Sequence, residues 1–217
     1  MNVELRPELK ILYPRAIFGG LMAENLPSSK KHPSLERAKR DLEGEIREDY
    51  PDVDQDEVIR SYDTYYKKWG KTYPIEFQVK TIKGGRNFPQ VSTLVDSMFL
   101  AELRNRVLTS GHDQDKIQSN LWFDLSDEGE TYLKLNGKKQ ELPKSDIVLR
   151  DQDDILASVL YGPARKTSIS AETTNPLYFA WCPYKLSEST VENHLMEIVR
   201  NLELVYGSFK YETIILE

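Results

Sequence analysis

GGRNFPQVSTLVDSMFLAELRNR, residues Gly84–Arg106, is the stretch on which the reading of the whole chain turns. It opens as a loop built on a Gly-Gly pair and an Arg, then runs unbroken into an apolar helix. That helix is expected from Ser92 or Thr93 to Val107, with Thr93 as its cap and Leu94, Met98, Ala101 and Leu108 on or near one face. A loop feeding a helix N-terminus is a natural anion site, because unpaired N–H groups and the helix dipole both favour negative charge there. The stretch therefore reads either as a site or as a connection.

The texture of the sequence changes on either side of it. Upstream, RAIFGGLMAENL within Pro14–Leu26 predicts a strand interrupted or bulged at Gly19-Gly20, and NLPSSKKHPS predicts a loop. A helix is expected from the cap Ser34, carrying Leu35, Ala38, Leu42 and Ile46 at helical spacing until Pro51 stops it. Asp54 and Glu57 form a capping box for a second helix, with Gly70 as its C-terminal stop, and Pro74 opens a third that Gly84-Gly85 ends. Downstream of Gly111 the pattern becomes short, alternating and punctuated by turns: LWFDL, TYLKLNGKKQEL with a turn at Asn136-Gly137, DIVLRD, ILASVLYG and NPLYFAWCP read as strands. A last helix capped by Ser189, with Glu192 three residues on, precedes the closing strand FKYETIIL. Helices concentrated in the N-terminal half and strands beyond it predict an α+β fold.

With 217 residues the chain suits one domain, 1–217, in which 1–57 adds an N-terminal strand and helix to a core module over 58–217. No apolar run approaches the roughly 18 residues of a membrane span, the N-terminus lacks the order of a secretory signal, and the single Cys182 makes no internal disulfide. A cytoplasmic protein with no membrane association is the expectation.

The net charge of −6 argues against a protein that grips nucleic acid over its whole surface. Yet Thr64–Gln90 holds Lys67, Lys68, Lys71, Lys80, Lys83 and Arg86 against one acid, Glu76, so this stretch is +5 and the remainder −11. Tyr65, Tyr66, Trp69, Tyr73, Phe77 and Phe88 interleave with those charges. Single-stranded nucleic-acid sites use this mixture for phosphate contact and base stacking. Core-facing aromatics beside a solvated face give the same pattern, and lysines at 67, 68 and 71 suit a helix C-terminus.

Catalytic constellations are sparse. His32, His112 and His194 fall in a loop, a turn and a helix without metal-site spacing, so no metal or other cofactor is expected. GHDQDKI reads as a solvated turn more than as an acid–base pair. Walker, Rossmann and nucleophile-elbow signatures are absent.

RNFPQVSTLVD, followed by GHDQDKI, DIVLRDQDDILASVLYG and TSISAETTNPLYFAW, resembles in order and spacing the editing domain of the β subunit of bacterial phenylalanyl-tRNA synthetase, especially its free-standing relatives. The resemblance covers roughly Val58–Ala180, and Arg6–Gly20 with the Ser34 helix fits the N-terminal part of the free-standing form. Arg86, Pro89, Val95, Asp96, Asp113, Lys116, Ile117, Gly162, Glu172, Thr173 and Asn175 fall where that pattern places them. It implies a three-layer sandwich with a mixed β-sheet and, in the synthetase, hydrolysis of mischarged tyrosyl-tRNA.

Three polar positions of that pocket depart: its helix Asn becomes Phe99, its turn His becomes Ser110, and its strand Glu becomes Phe179. A two-residue shift after the helix would put His112 in place of the lost His. Loss of the groups that pair a tyrosine hydroxyl removes discrimination. The expectation is therefore a tRNA- or aminoacyl-tRNA-binding module, in contact with other translation components. Lys80, Lys83 and Arg86 would lie on phosphates, and Phe99, Thr173, Asn175 and Phe179 would line a pocket. The alternatives are a deacylase acting in trans through Ser110, His112 and Asp96, and a pocket for a small aromatic molecule or a protein without RNA.

Overall fold

The computed structural model describes residues 2–49, 56–184 and 186–217. In chain order the elements are β1 (Val3–Leu5), α1 (Pro7–Leu12), β2 (Ile17–Ala23), α2 (Pro33–Asp49), α3 (Glu57–Lys67), α4 (Pro74–Lys83), α5 (Thr93–Asn105), β3 (Thr109–Asp113), β4 (Leu121–Leu125), β5 (Thr131–Leu133), β6 (Lys139–Glu141), β7 (Ile147–Arg150), β8 (Ile155–Ser158), β9 (Gly162–Pro163), β10 (Pro176–Cys182), α6 (Glu188–Tyr206) and β11 (Tyr211–Leu216).

The fold is α+β. An antiparallel sheet of order β11-β2-β10-β3 lies at its centre, and a mixed sheet of order β1-β4-β7-β8-β9, parallel only between β1 and β4, lies against it. Strand alternation explains the layering. Ile17, Leu21, Ala23, Tyr178, Ala180 and Cys182 face α5 and α6, burying Leu94, Ala101, Val191, Leu195 and Ile198. Phe18, Leu177, Phe179 and Trp181 face the mixed sheet, where Phe18 stacks on Phe123 at 4.1 Å. The result is a helix layer, the antiparallel sheet and the mixed sheet. None of the helices is long and apolar enough to cross a membrane among the described residues.

The Gly19-Gly20 pair is not a bulge. Its register is continuous against both β10 and β11. The glycines are required by crowding: a Cβ on Gly19 would sit 2.5 Å from Val191 Cγ1, and one on Gly20 2.8 Å from Ile214 Cγ1. The Asn136-Gly137 turn forms as expected, with Gly137 at φ +76° and its N–H donating to the Lys134 carbonyl.

Several caps sit beside the residue expected. The first long helix begins at Pro33, ahead of Ser34. Pro51 and Asp54 lie outside the described residues, and the cap of α3 is Asp56, whose carboxylate accepts from the Val58 and Ile59 N–H groups. Ser92 rather than Thr93 caps α5, and Ser187 rather than Ser189 caps α6. The largest difference concerns Thr109–Asp113. The solvated turn expected over 111–117 starts within a wholly buried edge strand, β3, paired along its length with β10, and only Gln114–Lys116 form a short 3-10 turn.

Candidate functional site

The opening stretch is held by one row of α2. Lys39, Glu43 and Arg47 recur every four residues and so lie on one face of the helix. Lys39 Nζ lies 2.8 Å from Asp96 Oδ2 and 2.8 Å from Glu36 Oε1. Glu43 accepts from the Phe88 N–H, and Arg47 donates to the carbonyls of Ile82 and Arg86 at 3.2 and 3.1 Å. Lys39 is 0% and Asp96 1% exposed, so this is a buried ion pair. Burial pulls the Asp96 carboxyl above its usual value, opposed by the Lys39 ammonium and the Val91 N–H at 3.0 Å.

The α5 N-terminus is therefore filled from within. Ser92 Oγ accepts from the Val95 N–H, the Thr93 N–H donates to the Ser29 carbonyl, and Asp96 supplies the negative charge the helix dipole favours. The α5 N-terminus is thus occupied by the chain's own groups, and among the described residues none of the Asp96 partners is Ser110 or His112.

Ser110 and His112 stand two residues apart on β3, so both side chains point between the sheets. Ser110 Oγ lies 2.8 Å from His112 Nε2, and His112 Nδ1 lies 2.9 Å from Thr167 Oγ1. Trp181 Nε1–H donates to Ser110 Oγ at 2.9 Å. A neutral imidazole satisfies both neighbours by accepting at one nitrogen and donating at the other. Burial holds it neutral by lowering its pKa to about 4. The Ser–His separation is that of a nucleophile and its base. However, His112 is fully buried, Ser110 is nearly so, and the ring of Phe179 meets the imidazole edge-on at 6.2 Å while packing on Phe123 at 5.3 Å.

Phe99 and Phe179 share no ring contact. Phe99 packs on Phe88 at 6.4 Å, and Lys39 Nζ lies 5.2 Å from the Phe88 ring centre. Thr173 and Asn175 join a different group, at the end of β3. Thr173 Oγ1–H donates to Asp113 Oδ2 at 2.8 Å, Lys116 Nζ lies 3.1 Å from the same oxygen and donates to the Ser168 carbonyl, and Asn175 Nδ2–H donates to both Asp115 oxygens at 3.0 Å. Exposed Glu172 lies beside it, its carboxyl lowered by Ser170. Backbone bonds from Leu26 and Ser28 to Thr174 and Thr173 fasten this loop to the end of β2. Asp113, Lys116, Thr173 and Asn175, scattered over more than sixty residues, thus converge at the end of β3, with Asp113 and Thr173 buried and Lys116 and Asn175 at the surface.

The basic stretch divides into two parts. Tyr65, Tyr66, Tyr73 and Phe88 are core residues, leaving Phe77 as the exposed ring of α4. Lys67 pairs with Asp63 at 2.8 Å, Lys68 sits over the rings of Tyr13 and Tyr184, and Lys71 sits over Tyr161 at 4.4 Å. Lys80, Lys83 and Arg86 are exposed together at the last turn of α4 and its following loop, Lys80 within 3.4 Å of Glu76. Four of the six interleaved aromatics therefore belong to the core, while Trp69 is half-buried and Phe77 is exposed.

Sequence reading missed Lys39 and Glu43. The signal was present, since Lys39 lies four residues after Leu35 and three before Leu42, inside the apolar stripe. It also missed Thr167 and Trp181, whose contacts with β3 come from distant segments.

Residues 71–183, just over half of the chain, match the B3/4 domain. No curated protein sequence matches the chain. Among solved structures, the fold is similar to an N-terminal fragment of the phenylalanyl-tRNA synthetase beta-subunit from Pyrococcus horikoshii, with a TM-score of 0.50 and 12% identity over 99% of this chain and 50% of that one. The chain thus spans half the length of that fragment. With the family profile lying across α4, β3 and the Thr173 loop, and the same fold carried by the synthetase fragment, the chain belongs to the B3/4 domain family.

Proposed function

We propose that this phenylalanyl-tRNA synthetase beta-like module is a cytoplasmic tRNA- or aminoacyl-tRNA-binding domain whose editing site is degenerate. One observation carries the reading: the groups suited to chemistry, Ser110 and His112, are enclosed between sheets, whereas the groups suited to phosphate, Lys80, Lys83 and Arg86, are exposed together. Phosphate contacts position a nucleic acid without reading its bases, and each neutralised phosphate adds to the salt dependence of binding. At the end of β3, Lys116 and Asn175 reach the surface and offer donors to an aminoacyl end, on a base formed by buried Asp113 and Thr173.

Purified protein is expected to bind tRNA at low salt, with affinity falling as salt rises. Arg86→Ala with Lys83→Ala should weaken binding uniformly across tRNA sequences and lower the salt slope by about 2. Binding unchanged by both substitutions would remove the proposal. The second reading, a deacylase acting in trans, rests on the 2.8 Å Ser110–His112 separation. It requires release of amino acid from mischarged tRNA, abolished by His112→Ala. An absence of tRNA binding with retained binding of a small aromatic compound or a protein would favour the third reading, to which the net charge of −6 is suited.

A further inference from the structure

We propose that the outer edge of β11 is a docking surface for a second copy of this chain, joining two antiparallel sheets into one of eight strands, four from each copy. The direction of the backbone groups follows from one hydrogen bond. The Glu24 N–H donates to the Lys210 carbonyl at 3.2 Å, and the neighbouring pair is Tyr211 with Ala23. Antiparallel ladders alternate between pairs that exchange hydrogen bonds and pairs that do not. Lys210, Glu212, Ile214 and Leu216 therefore bond to β2, and the N–H and C=O groups of Tyr211, Thr213 and Ile215 point away from it. Among the described residues these outward groups have no hydrogen-bond partner, and of the named elements only β2 and α6 pack appreciably against β11.

Proteins usually protect such an edge with Pro, Lys, a bulge or a covering element. The segment YETIIL has no Pro or bulge; charge sits with Lys210 and Glu212 at one end and with Lys10, which donates to the Glu217 carbonyl, at the other, and Ile214, Ile215 and Leu216 remain half-buried. The strand is also its own complement. Outward groups must face outward groups, which fixes the parity of the register; seating all three outward residues, Tyr211, Thr213 and Ile215, opposite one another then places the two-fold axis at Thr213. Tyr211 falls opposite Ile215 of the other copy, an aromatic against a β-branched side chain, and Glu212 falls opposite Ile214, so no like charges meet. Three bonded pairs exchange six hydrogen bonds. Three strand spacings of about 4.8 Å separate the two copies of β2, roughly 14 Å, which leaves room for both copies of α6 at a helix diameter of about 10 Å.

Light scattering across a concentration series, on the full chain, is expected to give twice the chain mass. Thr213→Pro should return the single-chain mass with unchanged circular dichroism, because the N–H it removes faces outward and an edge strand tolerates Pro there. Thr213→Cys tests the register without disturbing the strand. Directly opposite Cα atoms in a bonded pair are about 5.5 Å apart, within disulfide reach, so oxidation should cross-link this variant. Lys210→Cys, far from its counterpart in the same register, should not cross-link. Buried Cys182 contributes no background. A single-chain mass at every concentration, a dimer that survives Thr213→Pro, or equal cross-linking of the two cysteine variants would overturn the proposal.

Discussion

Around β3 and at the end of α4 the protein holds polar groups in opposite states. At β3, Ser110, His112 and Thr167 are enclosed and bonded to one another or to Trp181. At α4, Lys80, Lys83 and Arg86 are exposed at the helix end and its following loop, on the helix that also exposes Phe77. Both regions lie within the segment matching the B3/4 domain. The difference shows that polar chemistry and accessibility have been separated: the serine beside a histidine is closed in by sheets, whereas the cation run reaches solvent.

Substitutions inside and outside should therefore differ sharply in cost. Lys39→Ala strands the buried Asp96 carboxylate and should lower unfolding free energy by about 3–5 kcal/mol in urea titration. Replacing both partners by apolar residues should recover most of it. A single-variant loss below about 1 kcal/mol would mean that the interior tolerates uncompensated charge.

Acid provides the next largest effect. His112 has its folded pKa depressed to about 4 from 6.5, so its contribution is present above pH 6.5 and is lost as pH falls toward 4. Burial raises Glu102 to about 8 and Asp146 to about 6, which acts in the opposite sense, costing stability as pH rises through those values. The histidine effect is consequently read as a difference. The stability gap between wild type and His112→Gln should shrink by roughly 3 kcal/mol between pH 7 and pH 4. A constant gap would place His112 in contact with water.

Gly19→Ala comes third, at about 1–3 kcal/mol, since its Cβ must displace Val191 on α6. The smallest effect belongs to the outside: Lys80→Ala, Lys83→Ala and Arg86→Ala should each change thermal unfolding by no more than about 0.5 kcal/mol. A larger loss at any of them would show that the α4 end is structural.

The helices were legible because their apolar spacing and Pro or Gly boundaries are local properties. Strands such as LWFDL and PLYFAWC were legible for the same reason, their β-branched and aromatic residues being dense. SGHD carries no such density. It is a strand because β10 pairs with it and Thr167 meets its histidine, contacts that lie more than fifty residues away. β1 and α1 are too short to show a period, and β1 depends on pairing with β4 across more than a hundred residues. Within the site, Asp113, Lys116, Thr173 and Asn175 were recognisable as a motif and converge as one. Phe99 and Phe179 were paired by analogy with the family pocket, and their surroundings separate them: α5 turns Phe99 toward Phe88, and β10 turns Phe179 into the space between sheets.

The strand order of the antiparallel sheet also sets a schedule for synthesis. β2 is the inner strand that both β10 and β11 require, yet it leaves the ribosome some 150 residues before β10. At about 5–20 residues per second the apolar segment IFGGLMA waits roughly 10–30 s for a partner. The α-helices made in that interval are the material available to shield it, and a nascent chain stalled before Pro176 would hold half of a sheet with nothing to close it.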